Sequence, residues 1–168
     1  MAAPGQRKQF ALDSNVLFDL AAGADFAHTF REVCLERGYS LRVPPTVVKE
    51  LTYYARDKQC AETPFALKAL HEMRAWRLMP YDLTTTGHGI TEQFSRKLML
   101  AGLLPGDEFN DGLILAETSV ECIPVLVTSD GDLLDIEEST LRLQFEEADL
   151  PAVQVFHPQR LLKAMAPR

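Results

Sequence analysis

Cysteine is scarce in this chain of 168 residues, and the three cysteines present lie far apart. Cys34, Cys60 and Cys122 are odd in number and form no C-x-x-C pair, which excludes a disulfide framework and a cysteine-based zinc site. Uncharged apolar runs of membrane-spanning length are missing, as is the apolar core of an export signal near residue 1. We therefore expect a soluble, cytoplasmic protein with reduced cysteines and no membrane partner.

An excess of positive charge is also missing. The chain has 17 Lys and Arg residues against 24 Asp and Glu residues, a net charge of −7, which excludes a generally basic nucleic-acid-binding surface. The charge is uneven, because residues 107–150 carry 13 acidic residues and a single basic one, Arg142. So acidic a block is either a solvated face or a binding site for a divalent cation. The positions of the acidic residues within this block distinguish a solvated face from a cation site.

Short apolar segments alternate with amphipathic stretches along the chain, which predicts one α/β domain over 1–168 with a mostly parallel sheet. A short flexible N-terminus is expected at about 1–8. Strands are predicted at 9–12, 41–43, 78–79, 123–127 and 153–156. Helices are predicted directly after Asp13, at 24–37, 46–58, 62–76, 90–101 and 107–120, and from Pro158 onward. The segment 84–89 is interpreted as a loop, and 129–132 as a turn.

Carboxylates follow or precede several of these strands. Ligands of open parallel sheets bind beyond the carboxyl ends of the strands, so side chains from four segments are expected to meet there. They are Asp13, Glu50, the group Asp107, Glu108 and Asp111, and the pair Asp130 and Asp132. Each has an ordinary interpretation as a helix cap, a turn residue, a solvated side chain or a partner of a helix dipole.

Those ordinary roles do not explain why the carboxylates converge. Crowded carboxylates repel one another and raise each other's pKa values, so a cluster of them is best maintained by a bound cation. A donor set made only of oxygen favours Mg²⁺ or Mn²⁺ over zinc. A site of this kind is typical of phosphoryl transfer.

Four sequence motifs then resemble those of the PIN-domain family in order and spacing. They are ALDSNVL at 11–17, VVKEL at 47–51, NDGLILA at 110–116 and VLVTSDGD at 125–132. The resemblance covers nearly the whole chain and implies a three-layer α/β/α sandwich around a central, mostly parallel sheet. It also implies a metal-dependent endoribonuclease, and many bacterial members are toxins of the VapC type, which pair with an antitoxin.

The resemblance assigns roles to individual residues. Asp13, Glu50, Asp111 and Asp130 fall on the catalytic, metal-binding acidic positions, with Asp132 as a further metal ligand. Supporting roles fall to Ser14, Asn15, Thr128 and Ser129, and Asp107 joins them because it lies four residues before Asp111 on one predicted helix face. The implied cofactor is Mg²⁺ or Mn²⁺. Which of Asp107, Glu108 and Asp111 is the direct ligand, and whether one or two ions bind, remains open.

RNA is the implied substrate, and an acidic site needs positive side chains nearby to attract it. The expected contacts are Arg56, Lys58, Arg74, Arg77, Arg96 and Lys97. A two-fold homodimer is also expected, because the helices at 24–37 and 62–77 carry apolar residues, including Phe65, Leu67 and Trp76, beyond what one sheet face needs. The RNA target itself is not encoded in any motif.

Three other interpretations compete with this one. A haloacid-dehalogenase-type phosphatase needs a second aspartate where this chain has Asn15, and an amide cannot transfer the proton. A response-regulator receiver needs a lysine after the last strand, and that lysine is missing here. A catalytically silent PIN-like scaffold that binds a nucleic acid or a protein is the remaining alternative, and dependence of turnover on metal separates it from a nuclease.

Overall fold

The computed structural model describes residues 8–165, so the predicted flexible N-terminus lies outside the described residues except for Lys8. Five strands form one sheet: β1 (Gln9–Leu12), β2 (Ser40–Val43), β3 (Leu78–Pro80), β4 (Val125–Val127) and β5 (Gln154–Phe156). All neighbouring strands are parallel, in the order β3-β2-β1-β4-β5. The strand order reverses between β1 and β4, and this is the switch point at which such sheets bind ligands.

Helices flank the sheet, as the predicted three-layer α/β/α sandwich requires. They are α1 (Ser14–Ala21), α2 (Asp25–Glu36), α3 (Pro45–Thr52), α4 (Thr63–Glu72), α5 (Thr85–Leu100), α6 (Phe109–Val120), α7 (Gly131–Leu134), α8 (Glu138–Glu147) and α9 (Pro158–Met165). Among residues 8–165, no helix combines the length and apolar character that crossing a membrane requires.

The central strands are apolar because helices cover them on both sides. Phe10, Ala11 and Leu12 of β1 are all buried, as is every residue of β4. The helices add their apolar faces to the same core, with Phe30 of α2 and Phe145 of α8 among the largest buried side chains. This core fixes the register that places Leu12 beside Val127, and thereby the residues that follow each strand.

Several predicted boundaries were wrong. The segment 84–89 is not a loop, because the Thr84 hydroxyl accepts a hydrogen bond from the Gly87 amide at 3.1 Å and starts α5 at Thr85. The helix predicted at 46–58 ends at Thr52 and continues as a π-helical turn over Tyr53–Asp57. Helix α8 was not predicted at all. The predicted strand at 123–127 is limited to Val125–Val127.

The apolar residues proposed for a dimer interface do not form one surface. Trp76 is only 8% exposed and belongs to the core, so its assignment to an interface was wrong. Phe65 and Leu67 are exposed, but they flank the buried Ala66 of α4 on opposite sides. Helix α4 therefore does not present a continuous apolar face.

Candidate active site

Two of the predicted acidic residues lie side by side at the switch point. Asp13 directly follows β1, and Asp130 lies three residues beyond β4. The pairing of these strands continues past their ends, because the Asp13 amide donates to the Val127 carbonyl at 3.0 Å. Asp13 is 4% exposed and caps α1 by accepting a hydrogen bond from the Ser14 amide at 2.7 Å. Its role as a helix cap and its place in the acidic cluster are thus compatible.

The small polar residues after each strand hold Asp13 in position. Thr128 donates its hydroxyl to Asp13 Oδ2 at 2.8 Å, and the side-chain Nδ2 of Asn15 donates to the same Thr128 oxygen at 3.1 Å. The side-chain Oδ1 of Asn15 accepts a hydrogen bond from the backbone amide of Ser129 at 3.1 Å. The residues predicted to support the site therefore link β1 to β4 and orient the Asp13 carboxylate.

Asp111 completes a group of three carboxylates. One oxygen from each of Asp13, Asp111 and Asp130 lies within 4.8 Å of the other two. Asp111 comes from the first turn of α6 and is 7% exposed, and its Oδ2 has no hydrogen-bond partner among the described residues. Burial raises the pKa of Asp111 strongly, and Glu108, Asp13 and Asp130 raise it further. The pKa of Asp13 is raised as well, chiefly by burial.

Glu50 is connected to this group through Ser14. It lies in α3, and its carboxylate accepts a hydrogen bond from the hydroxyl of the buried Ser14. Burial raises the pKa of Glu50 from 4.5 to about 7, against the lowering effect of that hydrogen bond. The structure therefore brings three of the four predicted acids into one group, and it connects the fourth to Asp13 through Ser14.

Glu108, rather than Asp107, joins the site. Oxygens of Glu108, Asp130 and Asp132 form a second group within 4.8 Å, which shares Asp130 with the first group. Helix α6 begins at Phe109, so Asp107 lies in the preceding turn, is exposed and does not share a helix face with Asp111. The supporting role assigned to Asp107 rested on a helix from 107 and was wrong in that respect. The spacings from Asp111, four residues for Asp107 and three for Glu108, do not distinguish the two residues in the sequence.

The carboxylates lie in an open cleft of about 380 Å³, here called the acidic cleft. Its walls come from α1, α3, α6 and the π-helical turn. The lining residues are Asp13, Ser14, Asn15, Phe18, Glu50, Tyr53, Tyr54, Glu108, Asn110, Asp111 and Asp130. The three aromatic residues were assigned to no site from the sequence.

A buried glutamate outside the cleft was also missed. Glu117 of α6 is 2% exposed and accepts hydrogen bonds from the Thr46 amide at 3.0 Å and from the Thr46 hydroxyl at 2.7 Å. Burial raises its pKa despite these bonds. The contact ties α6 to the first turn of α3, so it helps to fix Asp111 and Glu50, which lie on the same two helices.

The basic residues expected to contact RNA are spread around the molecule. Arg56 and Lys58 are exposed beside the acidic cleft, and the Lys58 ammonium lies 5.1 Å from the ring centroid of Tyr54. Lys97 instead pairs with Glu147 at 3.2 Å, and Arg96 approaches Glu92 at 3.9 Å.

Arg74 and Arg77 do not lie near the acidic cleft. Arg77 immediately precedes β3, and Arg74 is three residues earlier. Since all the strands are parallel, the start of β3 lies at the sheet edge opposite the acidic cleft. Within one chain, these two residues are therefore separated from the carboxylates by the length of the strands.

No protein-family model matches the chain, and a search of curated proteins finds no match. Solved structures do match. A chain in the crystal structure of VapBC2 from Rickettsia felis bound to a DNA fragment from their promoter superposes with a TM-score of 0.61 at 18% identity, covering 89% of this chain and 98% of that one.

Two further structures are similar. VapBC-1 from nontypeable Haemophilus influenzae gives a TM-score of 0.55 at 14% identity, with 90% of this chain and 98% of that chain covered. FitAcB from Neisseria gonorrhoeae gives 0.52 at 19% identity, with 89% and 98% covered. Likeness at these identities establishes the architecture. The chain therefore has the fold of the PIN-domain proteins, as its four sequence motifs predict.

Proposed function

We propose that this protein is a Mg²⁺- or Mn²⁺-dependent endoribonuclease. The observation that carries the proposal is the group of three carboxylates at the switch point, in which the buried Asp111 Oδ2 has no donor among the described residues. An oxygen-only cluster with an unsatisfied buried carboxylate fits a hard divalent cation. Asp13, Asp111 and Asp130 would hold the ion, with Glu108 and Asp132 as further ligands.

The chain's own residues prepare this site. When bound, the cation supplies a water of lowered pKa and neutralises charge that develops on a phosphodiester. Thr128 and Asn15 keep the Asp13 carboxylate aligned through the hydrogen bonds that link β1 and β4. Burial raises the pKa of Glu50 to about 7, so in the metal-free site its carboxylate can take up or release a proton near neutral pH.

The structural neighbours support a role as the toxin of a toxin–antitoxin pair. VapBC and FitAB are such pairs, and their VapC and FitB parts are PIN domains. We therefore propose an antitoxin protein as a partner of this chain. The homodimer expected from the sequence is a separate proposal, which the burial of Trp76 weakens, and light scattering tests it, because a mass near 18.8 kDa at every concentration would exclude it.

A cleavage assay tests the nuclease. The wild-type chain should cut a mixed RNA substrate with Mg²⁺ or Mn²⁺ and not with chelator. Asp13→Asn and Asp130→Asn should each lose more than the roughly 10- to 100-fold that removal of an outer-sphere partner costs. Asp149→Asn is the matched control, since Asp149 is exposed in the turn before β5, at the opposite edge of the sheet.

Two results would contradict the proposal. Near-wild-type turnover of either site variant with Mn²⁺ would mean that the carboxylate group is not the active site. A wild-type chain that binds its partner in chelator and cuts no RNA with either metal would instead favour the silent scaffold. Circular dichroism of each variant confirms that any lost activity does not come from unfolding.

A further inference from the structure

One side of the acidic cleft is aromatic. Phe18 of α1 and two tyrosines of the π-helical turn, Tyr53 and Tyr54, line the cleft together with the carboxylates, and these three residues are called here the aromatic wall. Tyr53 is 50% exposed, whereas large aromatic side chains are usually buried in a core or an interface. The cleft thus places an accessible ring beside a centre suited to phosphate chemistry.

The rings of the aromatic wall contact one another. The ring of Tyr54 meets that of Phe18 edge-on, with centroids 5.6 Å apart and planes at 89°. Tyr53 contacts Tyr54 at the same centroid distance, with planes at 70°. The Lys58 amide donates to the Tyr53 carbonyl at 3.0 Å, and this i to i+5 bond closes the π-helical turn. That turn presents the two tyrosines together, with Tyr54 held in place and Tyr53 accessible.

Positive charge lies on the same turn. Arg56 and Lys58 are exposed, and neither has an acidic partner within 4 Å in the part of the chain that is described. Lys58 projects over the Tyr54 ring, so its ammonium stays close to the acidic cleft. A cation beside an exposed ring is the combination with which proteins bind a phosphate and the base attached to it.

We infer that the aromatic wall binds an unpaired nucleobase of the RNA next to the phosphate that is cut, with Tyr53 as the residue on which the base stacks. This inference rests on the proposed nuclease function. A base in a duplex is stacked between its neighbours and cannot stack on Tyr53, whereas a base in a loop or a single strand can. Tyr53 supplies the stacking surface, and Lys58 and Arg56 neutralise the flanking phosphates, which offsets the repulsion from the carboxylates.

Fluorescence anisotropy with a labelled RNA oligomer tests this directly, in EDTA so that metal-dependent cleavage does not occur. Tyr53→Leu removes the ring and keeps an apolar side chain, and it should weaken single-strand binding by roughly 5- to 100-fold. Tyr53→Phe should restore binding to about the wild-type level. Lys58→Gln should lower the slope of log affinity against log salt by about 0.7.

Phe65→Leu is the matched control, because Phe65 is an exposed aromatic residue of α4 that does not line the acidic cleft. It should bind the oligomer as the wild type does. A duplex of the same sequence should bind more weakly and be insensitive to Tyr53→Leu. Equal effects of Tyr53→Leu and Phe65→Leu, or equal effects on duplex and single strand, would overturn the inference.

Cleavage kinetics with Mn²⁺ separate this inference from the nuclease proposal. A wild-type chain that cuts RNA while Tyr53→Leu leaves KM unchanged overturns the aromatic wall as a base-binding surface and leaves the nuclease intact. A wild-type chain that cuts nothing overturns the nuclease. If Tyr53→Leu abolishes binding of a co-expressed protein and leaves RNA binding unchanged, the surface serves a protein partner and the inference is wrong.

Discussion

At the scale of single residues, the carboxylate of Asp111 lies in an unfavourable environment. It is buried, one of its oxygens accepts no hydrogen bond within residues 8–165, and three other carboxylates raise its pKa. A buried polar atom without a partner lowers stability, and a buried charge lowers it more. The arrangement lowers the stability of the metal-free protein, and a bound cation would offset that cost, which is the physical reason to interpret it as a functional site.

The metal-free protein should therefore lose stability as the pH rises. A carboxyl group whose pKa is higher in the folded state binds its proton more tightly there, so its stabilising contribution is complete below the unfolded-state pKa. That contribution is lost as the pH rises through the folded-state pKa. For Glu50 the window runs from 4.5 to about 7, and for Asp111 it extends higher.

Melting temperatures in EDTA between pH 5 and pH 8 measure this effect. Relative to the wild type, Asp111→Asn should melt at a higher temperature at pH 8, with the difference shrinking toward pH 5. Asp149→Asn, which removes an exposed carboxylate at the opposite sheet edge, should shift the curve by a constant amount, because the backbone φ of 61° at this position favours asparagine. A constant difference between wild type and Asp111→Asn over this range would show that ionisation of Asp111 carries no such cost.

At the scale of elements, the close approach of α5 and α6 sets where the carboxylates emerge. Gly112 follows Asp111, and a Cβ on Gly112 would lie 2.9 Å from the Cβ and 3.0 Å from the Cα of Ser95 on α5. The Ser95 hydroxyl also donates to the Phe109 carbonyl at 2.7 Å, in the first turn of α6. The missing side chain at 112 therefore allows the packing that holds the start of α6 in place.

Gly112→Ala should destabilise the fold by about 1–3 kcal/mol, because the new methyl group meets backbone as well as side chain. Gly89→Ala is its control in α5, where a Cβ meets nothing within 4 Å. That substitution should be neutral or stabilise by up to about 1 kcal/mol through helix propensity. Urea denaturation measures both, and an equal response of the two variants would contradict the close α5–α6 contact.

At the scale of the whole molecule, core and charge have separate roles. The buried core includes residues from all five strands or the segments beside them, whereas the carboxylates lie at one edge of the sheet. A net charge of −7 gives no general attraction for RNA. If the protein is the nuclease proposed above, its attraction for RNA is local, and the exposed Arg56 and Lys58 at the π-helical turn that lines the acidic cleft are suited to it.

The protein should consequently fold without metal and be stabilised by it. Binding to the native state alone adds about 2.7 kcal/mol when the free ion is at 100 times its Kd. Differential scanning calorimetry should show a cooperative transition in EDTA and a higher melting temperature with millimolar Mn²⁺. Asp13→Asn should reduce that increase. An unfolded metal-free chain, or a melting temperature indifferent to Mn²⁺, would contradict the proposed site.

The order of the five strands, and the acids placed after strands, followed from the sequence by itself. Asp13 after β1 and Asp130 after β4 were predicted because apolar runs, helix caps and strand ends are local patterns. Helix α8 was not predicted because charged residues surround its two buried positions, Leu141 and Phe145, and leave only a weak apolar stripe. The start of α5 was not predicted because glycines such as those at 87 and 89 are typical of a loop.

Tertiary structure alone decided which of these residues meet. Only the packing of α6 shows that Glu108 reaches Asp130 while Asp107 does not, that Asp111 is largely buried, and that Glu117 binds Thr46. The same holds for Arg77, whose distance from the acidic cleft follows from the direction of β3. Local patterns fix the conformation of a segment, but the distance between residues far apart in the chain depends on sheet order and helix packing, which no single segment encodes.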